Sequence, residues 1–182
     1  MAASERVPQQ ETGSAHDGKG WRFALLVLSD KAASGRRPDA CLPVMRAVLP
    51  PHSRVVHEQV IADDEAALTL SLKALSDENR ADCVLTSGGT GLAPKDITPQ
   101  VTSALADYEV PGIPEAMRAA GMLHVPTAML SRAVAAVRKK TLIINLPGSP
   151  KAVAETLGVI APVLPHALGI LRGDIAEHPA QG

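Results

Sequence analysis

Four short apolar runs, each closing on a polar or glycine-containing loop, restrict the folds open to this chain more than any other feature. They are WRFALLVLSD (residues 21–30), RVVHEQVIAD (54–63), ADCVLTSGG (81–89) and TLIINLPGS (141–149). Segments of helical spacing lie between them. CLPVMRAVLP carries Pro43 in its first turn, and EAALTLSLKALSDENR puts Leu68, Leu72 and Leu75 on one face. Strands alternating with helices require right-handed crossovers and a mostly parallel sheet, so the expected fold is a three-layer α/β/α sandwich. The third run is almost wholly apolar, as a strand covered on both faces should be. Ligands of such sheets bind beyond the carboxyl ends of the strands. Ser29-Asp30, Asp63-Asp64, Ser87 to Gly91 and Asn145 to Ser149 should therefore converge on one edge.

The remaining segments are read more coarsely. Thr98 is expected to be an N-cap and Pro99 the first residue of a helix through VTSALADY. PEAMRAAGML reads as another helix and SRAVAAVRK as a short helix or turn. The stretch from Pro150 to Asp174 reads as one or two helices interrupted at Pro162 and Pro165. Residues 1–20 are polar and aperiodic and are expected to be a disordered leader, with residues 21–178 forming one domain.

Composition removes several classes of function. Aromatic residues make up 2% of the chain and the net charge is −1, which disfavours base-stacking platforms and a non-specific nucleic-acid face. Cys41 and Cys83 are far apart, and the six histidines are scattered, so neither zinc-ligand spacing nor a disulfide framework is present. No apolar stretch approaches the ~20 residues of a membrane span, and no signal-peptide core is seen. The expectation is a cytoplasmic protein with no membrane and no nucleic-acid partner.

The chemistry should lie in TSGGTGLAPKDITP, residues 86–99. Gly88, Gly89 and Gly91 either serve a tight turn or clear Cβ atoms from a nest of backbone N–H groups that binds phosphate. Thr90 adds a hydroxyl. Neither the G-K-[ST] of a nucleoside-triphosphate loop nor the G-x-G-x-x-G of a dinucleotide site is present. Asp96 either sits favourably by a helix N-terminus or helps hold Mg²⁺ against phosphate oxygens. Of Asp63 and Asp64, one is expected to cap the next helix and the other to face the cleft. Lys95, Arg132 and Lys151 are candidate cations.

TSGGTGLAPKDITP resembles the signature of molybdenum-cofactor biosynthesis proteins of the MogA/MoaB type, which include the gephyrin G domain and its plant counterpart. LVLSDKAASG, VIADDEAAL, PGIPEAMR, VPTAMLSRAVAAVRKKTLIINLPGSPKAV and LPHAL resemble further blocks in matching order, from about Phe23 to Asp174. The resemblance implies adenylyl transfer from ATP to molybdopterin with Mg²⁺, a homotrimer, and a molybdenum insertase as candidate partner. It places Asp63 and Asp96 as catalytic and metal-holding residues. Gly88, Gly89, Thr90, Gly91, Ser29 and Asp30 fall in the nucleotide-phosphate region, and Ser131, Arg132, Asn145, Pro147 and Gly148 among the molybdopterin contacts. Ala62 replaces a frequent Pro, and Gln100 stands where many members carry an acid. A non-catalytic binding or scaffolding module of the same fold is the alternative; Asp63, Asp96 and the intact G-G-T-G favour the enzyme.

Overall fold

The computed structural model describes residues 20–174, so the expected leader and the end of the chain lie outside the described residues. The strands are β1 (Trp21–Leu28), β2 (Ser53–Ile61), β3 (Cys83–Ser87), β4 (Tyr108–Glu109), β5 (Ala135–Arg138) and β6 (Thr141–Leu146). They form one sheet in the order β2-β1-β3-β6-β5-β4. The first four in that order run parallel, and β5 runs antiparallel to both β6 and β4.

Among the described residues the α-helices are α1 (Asp30–Ala33), α2 (Cys41–Val48), α3 (Glu65–Asp77), α4 (Thr98–Leu105), α5 (Gly112–Met122), α6 (Pro150–Ile160) and α7 (Leu164–Arg172). Alternate strand residues face opposite layers, as the pleat requires. Phe23, Leu25, Leu85, Leu142 and Ile144 pack with Met45, Met117, Val153, Leu157 and Leu164 on one side. Ala24, Leu26, Val84 and Ile143 pack with Leu68, Leu72, Leu75 and Val101 on the other. The sandwich is thus three-layered. Leu, Val, Ile and Ala supply most of both cores, as the scarcity of aromatics demands.

Three readings change. SRAVAAVRK is neither helix nor turn: Ala135–Arg138 is β5, paired on both sides. Its alanines favour a helix locally, but the open flank of β6 offers a ladder, and sheet pairing overrides weak propensity. Thr98 is not an N-cap, because Ile97 holds that position. The Thr98 hydroxyl instead donates to the Gly88 carbonyl at 2.8 Å. The stretch Pro150–Arg172 is long and apolar enough to cross a membrane, contrary to the reading that no such stretch exists. Its Val153, Leu157, Ile160, Leu164 and Leu168 are buried against the sheet, so its apolar face belongs to the core.

Candidate functional site

Parallel strands end on the same edge, so β1, β2, β3 and β6 deliver their polar loops together. Because β5 is antiparallel, its amino end reaches the same edge and brings Ser131 and Arg132 to it. The centre of this edge is the glycine loop. Gly88 has φ +103° and Gly89 φ +65°, conformations that a Cβ disfavours. A Cβ on Gly88 would lie 2.4 Å from the Leu28 carbonyl oxygen, and one on Gly89 2.5 Å from Thr98 Oγ1. The turn needs both glycines for its own geometry. A valine at position 89 would therefore strain the turn itself.

Arg132 fixes the loop from the other side. Its backbone N–H donates to the Thr90 carbonyl at 2.9 Å, its Nε to Gly91 O at 2.7 Å, and one terminal nitrogen to Asp96 O at 2.5 Å. Those two side-chain bonds are made to backbone, so Arg132 acts as a brace across residues 91–96. Asn145 is also structural. Its side chain is completely buried; Oδ1 accepts from the Val134 N–H at 3.2 Å, and Nδ2 donates to Thr86 and Thr102 hydroxyls at 3.1 and 2.9 Å. A carboxamide so enclosed ties β5 to β3, β6 and α4, and it does not face the cleft as a molybdopterin contact would.

Two cavities flank the loop. One, of about 260 Å³, is lined by Thr90, Gly91, Ser131 and Pro147 from the edge and by Met117, Gly121, Val125 and Leu130 from α5 and the segment after it. Its walls are largely apolar, with the Arg118 guanidinium and Glu155 carboxylate at its margin. The other, of about 250 Å³, is of mixed character: Ser29, Arg37, Asp39, Cys41, Ser87 and Ser149 line it together with Val27, Leu28, Pro38 and Pro150. Gly148 sits against the glycine loop, where a Cβ would come within 3.3 Å of Gly88 Cα. Burial pushes the Cys41 thiol above its ordinary pKa, so it is a neutral wall residue here.

A carboxylate corner completes the edge. Asp64 caps α3, accepting from the Ala67 N–H at 2.7 Å, as was expected of one of the two acids, and Asp63 takes no part in the cap. The Asp63 N–H donates to Asp30 Oδ1 at 3.1 Å. Lys95 Nζ lies 3.4 Å from Asp63 Oδ2 and 3.5 Å from Asp30 Oδ2. The Asp63 amide, with Lys95 behind it, holds the Asp30 carboxyl below its ordinary pKa, and Asp63 with Asp30 raises that of Lys95. Asp96 closes the loop: Oδ2 accepts from the Ala93 N–H at 2.8 Å and lies where a Cβ on Gly91 would meet it. The carboxylate sharing a cation with Asp63 is therefore Asp30, while Asp96 lies against the glycines.

Sequence reasoning missed Arg37 and Asp39 in the mixed cavity, and Met117, Arg118 and Leu130 in the apolar one, whereas Ser87 was expected at this edge. Ser87 precedes the glycines at the strand end. Met117 and Arg118 belong to the PGIPEAMR block, whose helical face was legible though its destination was not.

Residues 24–166 match the family described as "Probable molybdopterin binding domain". The molybdopterin adenylyltransferase of Haemophilus influenzae is 43% identical over 142 residues, covering 75% of this chain and 71% of that protein. The molybdopterin adenylyltransferase of Escherichia coli K12 is 39% identical over 172 residues, covering 86% and 88%. The crystal structure of the molybdopterin biosynthesis enzyme MoaB from Thermus thermophilus superposes with a TM-score of 0.80 at 44% identity, covering 84% of this chain and 97% of that one. The glycine loop, its acidic corner and the ordered blocks around them lie within the matched span, and the chain belongs to this molybdopterin-binding family of molybdenum cofactor biosynthesis proteins.

Proposed function

We propose that this protein adenylylates molybdopterin. A phosphate oxygen of molybdopterin attacks the α-phosphorus of ATP, a new P–O–P link forms, and the bond to the leaving oxygen breaks to release pyrophosphate. The observation that carries this reading is the pair of cavities on either side of one glycine loop, the first largely apolar and the second mixed, with Ser29, Arg37, Asp39 and Ser87 in its wall. Such a pair suits a reaction that brings together two phosphate-bearing molecules. The largely apolar cavity beside Thr90 and Met117 suits a flat purine base, and the mixed cleft beside Ser29, Asp39 and Ser87 a pterin rich in donors and acceptors; this reverses the allotment that the resemblance implied, because Ser131 and Pro147 line the first cavity and Ser29 the second. Their phosphates would meet over Gly88 to Gly91.

No protein nucleophile is required, because positioning and charge neutralisation are what such transfers need. Lys95 is a cation at the corner, and Arg132 keeps the loop in shape. Mg²⁺ fits the donor set. It takes oxygen ligands from one or two carboxylates along with phosphate and water, and Asp63 and Asp30 already share one cation, the Lys95 ammonium. Asp63 and Asp30 would hold the metal, with Asp96 beside the phosphates. When bound, it supplies charge neutralisation on phosphate oxygens.

We further propose a cytoplasmic homotrimer. Met122, Leu123, Val125, Met129 and Leu130 are exposed together around the end of α5, and burial of such a patch between copies would remove it from water. A molybdenum insertase that takes up adenylyl-molybdopterin is the expected partner. Molybdopterin-dependent release of pyrophosphate from ATP tests the activity. Release is expected only with both substrates present; none with both, or release without molybdopterin, would refute it.

A further inference from the structure

Lys95 sits on residues 92–95, an exposed segment between two points that Arg132 ties down, the carbonyls of Gly91 and Asp96. From there its ammonium reaches the ends of β1 and β2. The Lys95 side chain is 62% exposed, whereas the Asp63 carboxylate it covers is only 8% exposed. A nearly enclosed carboxylate held by a solvated lysine on a surface loop is an asymmetric pair: the acid is fixed and the cation can leave. Both contacts are longer than a close charge-assisted hydrogen bond.

We propose that Lys95 is a displaceable internal counter-cation. It pairs with Asp63 and Asp30 in the empty protein, gives them up to the incoming divalent metal, and turns to the nucleotide phosphates on the adjoining glycine loop. This rests on the Mg²⁺ site proposed above. Displacement follows from charge and reach: a divalent ion outcompetes one ammonium for two carboxylates, and the loop that bears Lys95 leads directly from Gly91. The exchange replaces a single ammonium, which offsets one of the two carboxylate charges, with a divalent ion that offsets both, so the carboxylates are never left unpaired.

A reversal of sign is the expected signature. With the full chain and Mn²⁺ as probe, electron paramagnetic resonance titration without nucleotide should show Lys95→Met binding the metal roughly fivefold more tightly than wild type, the scale of removing one competing charge in water-screened surroundings. With ATP present, the same variant should bind Mn²⁺–ATP several-fold more weakly, because a phosphate contact is gone. Lys73→Met, on the exposed side of α3, controls for net charge and should change neither. Equal or weaker binding of free Mn²⁺ by Lys95→Met, no saturable binding in either protein, unchanged Mn²⁺–ATP affinity, or an equal gain in Lys73→Met would overturn the proposal. These readouts involve no turnover. Tighter Mn²⁺ binding without pyrophosphate release would refute the reaction and leave the exchange standing, and the converse pattern would do the opposite.

Discussion

Each end of the sheet holds an acid between two neighbours, and the two arrangements differ in every respect that separates structure from function. At the amino end Asp82, with its side chain 4% exposed, accepts from the Arg22 backbone at 2.7 Å and guanidinium at 2.7 Å, and from Arg172. Arg172 also lies over the Trp21 ring, 4.4 Å from its centre. These partners come from β1 and α7, two rigid elements, so the cluster fastens the last helix to the sheet. At the carboxyl end Asp63 faces a lysine from an exposed loop, its companion Asp30 begins a four-residue helix, and the glycines beside them hold positive φ. Saturated partners on fixed elements make a clasp; long contacts on a surface loop make a site that can exchange its ligands.

The largest expected effect lies at the clasp. Asp82→Ala leaves two partly buried guanidinium groups without their shared acid and should cost about 3 kcal/mol or more in unfolding free energy. Chemical denaturation measures it, and a loss below about 1 kcal/mol, the scale of an exposed ion pair, would mean that the cluster is ornamental. At the carboxyl end the ranking inverts. Asp63→Asn or Asp96→Asn should lower adenylyl transfer roughly a hundredfold, the scale of losing one electrostatic contact in the transition state. Their stability should fall by less than about 1 kcal/mol. Near-normal turnover at limiting Mg²⁺ in both variants would return these residues to plain structural duty.

Gly89→Val tests whether the loop's geometry and its ligand role can be separated. Positive φ and the contact with Thr98 should cost about 2 kcal/mol in stability, and nucleotide affinity should fall as well. A variant as stable as wild type would contradict the observed turn. The smallest effect is acid sensitivity. Burial alone would raise the pKa of Asp82, but the bonds from Arg22 and Arg172 outweigh it and hold the carboxyl below its ordinary value. Between the folded and unfolded pKa values the unfolded chain binds more protons, so stability rises with pH there. The Asp82 contribution is full above the ordinary carboxylate pKa and is lost as the pH falls through the lower folded value. Asp82→Asn should flatten that part of the acid-unfolding curve.

The same contrast explains what could be read in the sequence. β1, β3 and β6 are buried on both faces, and their unbroken apolar runs announce them. A cap from Asp63 or Asp64 follows from their position before a helical stretch; which of the two provides it, Asp64, is decided by the fold. β5 was hidden because Ala-Val-Ala-Ala-Val has no strong preference of its own; only the free flank of β6 makes it a strand. Arg132 and Asn145 read as ligand contacts because they fall within blocks that resemble those of the family. Their bonds go to Gly91, Asp96, Thr86, Thr102 and Val134, and no local pattern reveals partners so distant along the chain. Asp30 and Lys95 were each visible, but their meeting over Asp63 depends on how the loops fold across the edge.

The most direct test of two cavities serving one transfer is a crystal structure with Mg²⁺ and an ATP analogue that cannot be cleaved between its α- and β-phosphates. The expected result is the purine among Thr90, Met117, Ser131 and Pro147, the α-phosphate on the N–H groups of Gly89 to Gly91, and the metal on Asp63. A purine seated instead among Ser29, Asp39 and Ser87, or phosphates remote from the glycine loop, would contradict it.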